Sequence, residues 1–230
     1  MTEPDDVATR WAAVRARVDA ACRRAGRDPA AITIVAVSKL HPAETVARAI
    51  AAGVGDLGEN YAQELVAKQA AVGALTTTPV RWHFIGRLQR NKAKLVAGKV
   101  ALVHAVDSVE LGAELGKRAV AAGAIQPVLI AQNAGEATKG GVGEAEIAAL
   151  LAGLAAVVGI RVDGLMTMPP PSDDPEASRP YFRALRELRD RLGRPLPVLS
   201  MGMSGDFEVA IEEGATHVRV GTAIFGARPA

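Results

Sequence analysis

The sequence predicts an α/β fold, specifically a (β/α)8 TIM barrel with one extra helix in front. Three observations carry this. Short apolar, β-branched runs recur eight times, with helical segments between successive ones. The 230 residues suit one such barrel, for which about 250 is typical. No strand candidate leads into the Gly-x-Gly-x-x-Gly turn that would favour a doubly wound dinucleotide-binding sheet. No stretch has linker composition, so residues 1–230 read as a single barrel domain.

The extra helix comes first. Val7, Trp11, Val14, Val18, Ala21 and Cys22 recur at steps of three or four, and Gly26 and Pro29 stop the run. Ile32–Val37 is β-branched and continuously apolar, as expected of a strand buried on both faces. Pro42 opens a helix to about Ala52, and Val54–Gly58 is the second strand. A helix over Tyr61–Ala71, a turn over Thr76–Pro79 and a strand over Arg81–Ile85 follow. Asn91–Val96 is a short helix and Ala101–Val106 a strand. Ser108 N-caps a helix to about Ala122. Gln126–Gln132 and Ile160–Leu165 are strands around a helix over Glu144–Val157. Pro169–Pro180 is a Pro/Ser/Asp-rich loop before a helix over Tyr181–Leu192. Pro197–Ser200, a helix over Asp206–Glu213 and Thr216–Val220 complete the pattern.

Composition excludes several classes. Hydrophobic residues at 49% and charged residues at 23% rule out a disordered or collagen-like chain. Aromatics at 3% leave the core to Ala, Val, Leu and Ile. A net charge of +2 is too balanced to imply a nucleic-acid or anionic-membrane partner. Cys22 is the one cysteine, which excludes an internal disulfide and fits a small core residue. The polar N-terminus has no signal-peptide pattern, and the longest apolar stretch, Ala145–Ile160, is interrupted by Glu146, Gly153 and Gly159. A cytoplasmic protein is expected.

Active groups of a barrel sit at the C-terminal strand ends. Those ends carry Ser38-Lys39, Glu59-Asn60, His83 with Gly86, Asp107, Asn133, Met166–Met168, Ser200-Met201 and Arg219, Gly221 and Thr222. Desolvation at a barrel edge disfavours the ammonium form of Lys39, and a neutral amine there can form a Schiff base with an aldehyde. A lysine snorkelling to solvent is the competing reading. After the last two strands, Ser204-Gly205-Asp206 and Gly221-Thr222 each lead into a helix. Two adjacent helix starts rich in Gly and hydroxyls make an anion site from backbone N–H groups, at a place where barrels often bind phosphate. In a closed barrel the first strand adjoins the last. Lys39 and the phosphate cup together point to a phosphorylated aldehyde, either pyridoxal 5′-phosphate (PLP) or the substrate of a sugar-phosphate aldolase.

The chain resembles the pyridoxal phosphate homeostasis proteins, whose fold is similar to the barrel domain of alanine racemase. The resemblance rests on Ala36–Pro42 (AVSKLHP), Gly58–Glu64 (GENYAQE), Trp82–Lys92 (WHFIGRLQRNK) and His104–Ser108 (HAVDS). Leu199–Ser204 (LSMGMS), Val218–Arg228 (VRVGTAIFGAR) and the helix ending Ala25-Gly26-Arg27 extend it over about residues 10–228. It implies a fold type III barrel holding PLP on Lys39 as an internal aldimine. It implies phosphate binding by Ser204, Gly221 and Thr222, and Arg219 near the pyridine nitrogen, where a permanent cation weakens the ring as an electron sink. It places Asn60, His83, Met201 and Gly205 about the cofactor, although Gly205 stands where relatives often carry a polar residue. It implies a monomeric protein that binds, buffers and delivers PLP to apo-enzymes, without catalytic turnover. A low-turnover amino-acid racemase is the alternative. Alanine racemase adds a β-domain whose tyrosine is the second base, and this sequence stops at Ala230 with only Tyr61 and Tyr181.

Other features point elsewhere. Gly135–Gly141 has Lys139 before a glycine, against the Walker order, and reads as a flexible loop. The four histidines have no i, i+4 pair and no Cys partner, so no metal is expected. Met166, Met168, Met201 and Met203 read as packing at the barrel top. Arg183–Arg194 interleaves Glu187 and Asp190 with its arginines, as a solvated helix face does.

Overall fold

The strands are β1 (Thr33–Val37), β2 (Asp56–Glu59), β3 (Arg81–Phe84), β4 (Leu102–Val106), β5 (Gln126–Gln132), β6 (Ile160–Thr167), β7 (Val198–Ser200) and β8 (His217–Val220). In the computed structural model, which describes residues 7–134 and 140–227, they form a closed parallel barrel in sequential order. Closure is made by β1 against β8, with Val35 opposite Arg219 and Ala36 opposite Val220. The helices are α1 (Val7–Arg24), α2 (Ala43–Ala51), α3 (Ala62–Leu75), α4 (Ala93–Val96), α5 (Val109–Ala121), α6 (Glu144–Ala155), α7 (Arg179–Arg191), α8 (Phe207–Glu212) and α9 (Thr222–Phe225).

The predicted (β/α)8 barrel and its extra helix are therefore present, with small boundary differences that have local causes. β2 starts at Asp56 rather than Val54, because Gly53 turns at φ 99° and Val54 N–H bonds back to Ala49 O at the end of α2. β6 runs two residues further than predicted, because Met166 and Thr167 pair with Ala131 and Gln132. Ser108 caps α5 as predicted, its Oγ accepting from Leu111 N at 3.4 Å.

α9 is a single turn, too short to cover the outside of β8 and β1. α1 packs against α8, α9 and α2 and fills that place in the outer ring. It buries Val7, Trp11, Val14, Val18, Ala21 and Cys22, the face its spacing predicts. Arg10 fastens it to α9 by donating to Ile224 O at 3.0 Å. Leu57, Phe84, Val103, Ile130, Leu165, Leu199 and Val218 from the strands join this helix-facing core. Among the described residues no helix is long and apolar enough to cross a membrane. The expectations for residues 1–6, for the 135–139 part of the Gly-rich loop and for Arg228 lie outside the described residues.

Candidate functional site

At the C-terminal mouth of the barrel lies a cavity of about 430 Å³. Side chains two apart on a strand share a face, and the cavity wall follows that period: Val37 with Lys39, Ala105 with Asp107, Ala131 with Asn133, Met166 with Met168, Arg219 with Gly221. Asn60, Ser204, Gly205 and Thr222 complete the predicted part of the wall. Seven of the nine residues singled out in the sequence thus meet in one cavity: Lys39, Asn60, Ser204, Gly205, Arg219, Gly221 and Thr222.

His83 and Met201 do not line it. β3 turns His83 inward one layer lower; Ile85, two residues on, takes the cavity position. His83 instead reaches Asp56 Oδ1 through Nε2 at 2.8 Å and His104 Nε2 through Nδ1 at 3.0 Å. Met201 is fully buried in the apolar core, and Met203 is the methionine of that loop on the wall. Arg87, Asp107, Asn133, Met166 and Met168 are wall residues the site prediction omitted. All but Arg87 were visible as strand-end positions. Arg87 follows Gly86 in a loop and reaches Asp107 Oδ2 at 3.9 Å.

Lys39 follows β1 in a tight turn: Ser38 N–H bonds to Gly58 O and His41 N–H to Ser38 O. Leu40 has φ 64°, and no other non-glycine described residue has positive φ. Across the cavity, Ser204 Oγ accepts from Gly221 N at 3.2 Å and Ala223 N at 3.5 Å. One hydroxyl so ties the loop after β7 to the start of α9, and its own hydrogen remains to donate. A Cβ on Gly205 would meet nothing within 4 Å, so the backbone there is open to close approach.

Arg219 is buried at the cavity floor. Its Nη1 donates to Ser200 Oγ at 2.7 Å and its Nη2 to Thr167 O at 3.0 Å. Burial draws its pKa down to about 10, opposed by Asp206, and it stays cationic at neutral pH. Asn60 Oδ1 is buried with no hydrogen-bond partner among the described residues. A primary amine, a buried cation, hydroxyl donors and an unpartnered amide oxygen around one apolar-walled space suit an aldehyde that carries an anion on a planar ring. The residues present fit PLP. Among the described residues no cluster of His, Cys, Asp or Glu could hold a metal.

Residues 10–229 match the family model described as alanine racemase, N-terminal domain. A pyridoxal phosphate homeostasis protein of Aquifex aeolicus is 47% identical over 95% of this chain and 97% of that relative. The chain belongs to the pyridoxal phosphate homeostasis protein family. The Escherichia coli member is 41% identical over 97% of each chain. Among solved structures, PipY of Synechococcus elongatus, a structure with PLP bound, superposes on this homeostasis-family chain with a TM-score of 0.82. It is 32% identical, covering 96% of this chain and 100% of PipY.

Proposed function

We propose that this chain holds PLP in the barrel-mouth cavity as a Lys39 aldimine, and that it buffers the cofactor and hands it to apo-enzymes instead of turning over a substrate. The observation that carries this reading is the convergence of Lys39, Arg219 and the Ser204/Thr222 loops on one cavity from the consecutive strands β7, β8 and β1. The names of the relatives and the PLP in PipY support the same ligand.

PLP supplies an aldehyde carbon and an electron-withdrawing ring; the protein supplies the rest. Lys39 provides the amine. Ser204, Gly205, Gly221 and Thr222 would hold the phosphate through hydroxyl and backbone N–H donors. Arg219 would meet the pyridine nitrogen, where its fixed positive charge would disfavour a proton. Asn60 would border the ring. We further read the protein as a cytoplasmic monomer of one domain.

The test is the visible spectrum of the purified protein before and after borohydride reduction, with the modified residue mapped. The expected result is a reducible chromophore on Lys39, absent from a folded Lys39→Ala variant. A full-occupancy reducible chromophore in that variant would sink the Lys39 assignment, and a wild-type protein that binds a sugar phosphate but no PLP would favour an aldolase.

A further inference from the structure

We propose that Lys68, held between Glu59 and Glu64, is a positioning residue for Lys39: the three form a buried ion cluster that clamps both neighbours of Lys39 and so aims its amine into the cavity. The inference rests on the reading of Lys39 as the PLP-carrying amine.

Lys68 is 7% exposed and donates three hydrogen bonds: to Ser38 O at 2.6 Å, Glu59 Oε1 at 2.7 Å and Glu64 Oε1 at 2.7 Å. An ammonium group has three donors, so all are used. The carboxylates reach the same turn. Ser38 Oγ donates to Glu59 Oε1 at 2.6 Å, and Leu40 N donates to Glu64 Oε1 at 2.5 Å. Ser38 is thus held by its carbonyl and its hydroxyl, and Leu40 by its amide.

That grip has a visible purpose. Left-handed backbone is unfavourable for a leucine and persists only where its surroundings over-determine it. Leu40 adopts it one residue past Lys39. Stability alone does not call for such a cluster, since apolar packing serves as well as or better than a buried ion pair. The cluster also keeps the two lysines apart in role. Lys68 is committed to two carboxylates under the turn, whereas Lys39 lines the cavity. Burial pushes the Glu59 carboxyl above its ordinary pKa, opposed by its bonds to Lys68 and Ser38.

Two variants test this, Lys68→Met and Glu64→Ala. Glu64 is 21% exposed, so its loss spares the core even where Lys68→Met fails to fold. Three readouts are compared with wild type: the rate of PLP capture on Lys39, mapped after reduction; affinity for pyridoxine 5′-phosphate, which has the ring and phosphate but no aldehyde; and hydrogen exchange of residues 36–42 in the apo-protein. A misplaced reacting group costs up to about a hundredfold in rate. The expected result is capture slowed about tenfold or more, unchanged pyridoxine phosphate affinity, and faster exchange at residues 36–42. Wild-type capture in a folded Glu64→Ala variant overturns the proposal, as does an equal loss for both vitamers. A wild-type protein with no PLP on Lys39 refutes the functional reading instead, and the exchange data still decide whether the clamp exists.

Discussion

His104 Nε2 lies 3.0 Å from His83 Nδ1 inside the barrel, beneath the cavity. The pair belongs to a chain of contacts. Arg219 Nη1 donates to Ser200 Oγ at 2.7 Å, and Ser200 Oγ lies 2.8 Å from His104 Nδ1. At the other end the Asp56 carboxylate only accepts, so His83 donates to it from Nε2; with both rings neutral, His104 Nε2 donates to His83 Nδ1 and Ser200 gives its hydrogen to His104 Nδ1. Asp56 is also paired with Arg81, Nη2 to Oδ2 at 2.7 Å. The cation on the cavity floor is thereby linked to a carboxylate at the start of β2.

His104 and His217 make stability fall in acid. Burial, then the neighbouring His83, holds His104 well below its ordinary pKa, and burial draws His217 down to about 4. A depressed native pKa means that the unfolded chain takes up protons that the native state refuses. The stability is fully present above the unfolded histidine value of about 6.5 and is lost as pH falls through the native value. For His217 the loss between pH 7 and pH 4 is about 3 kcal/mol. Glu59, whose carboxyl is raised, acts in the opposite sense in acid. Urea unfolding of wild type and His217→Asn at both pH values isolates the histidine: the variant should lose less stability on acidification, and parallel losses would rule this out.

Gly86 fits against Asn60 with no space for a side chain. A Cβ there would lie 2.2 Å from Asn60 O, a backbone atom that cannot swing aside. Gly86→Ala should destabilise the protein by about 1–3 kcal/mol, the range for overpacking. It should also weaken PLP retention by displacing Asn60 from the cavity wall. Denaturant melts and equilibrium dialysis check the two effects. A variant with wild-type stability would show that this contact relaxes freely.

The phosphate cup should distinguish vitamers. Each hydrogen bond to a charged group contributes about 1.5–3 kcal/mol. Two such bonds amount to about 3–6 kcal/mol, so the double variant Ser204→Ala, Thr222→Ala should lower PLP affinity on the order of 10²- to 10⁴-fold. It should leave pyridoxal, which lacks the phosphate, much less affected. Ser204 also ties the loop after β7 to α9, so a modest loss of stability is expected alongside. An equal loss of affinity for both vitamers would show that these residues do not meet the phosphate.

Alanine racemization should be weak or absent. The reaction needs a base on each face of the α-carbon, and one such group contributes roughly 10² to 10⁴-fold. Lys39 can serve one face. Neither Tyr61, which is 55% exposed, nor Tyr181 lines the cavity. His83 and His104 are buried in the layer beneath, and burial keeps the His104 ring unprotonated. α-Proton exchange of L-alanine in D₂O, with chiral analysis, measures this. Turnover at or above about 10 s⁻¹, a typical enzyme value, would favour a compact racemase.

The sequence by itself determined the number and order of strands, the extra helix and the cavity-facing Lys39, Arg219, Ser204 and Thr222. Those signals are local. β-branched runs, caps and turns set the elements, and barrel geometry places their C-terminal ends together. Tertiary structure alone decided the level at which each inward side chain sits. Period-two alternation assigns His83 to the interior, but its height depends on pairing with neighbouring strands. That pairing puts His83 opposite Gly58 of β2, one layer below Ile85. The register shift between Val103 and Val106 likewise lets His104 join the buried chain while Ala105 lines the cavity. The Lys68 cluster was equally out of reach, because it joins α3 to the ends of β1 and β2. Lys68 lies 30 residues from Ser38 in the chain, and the pairing of β1 with β2 brings its ammonium group to that carbonyl.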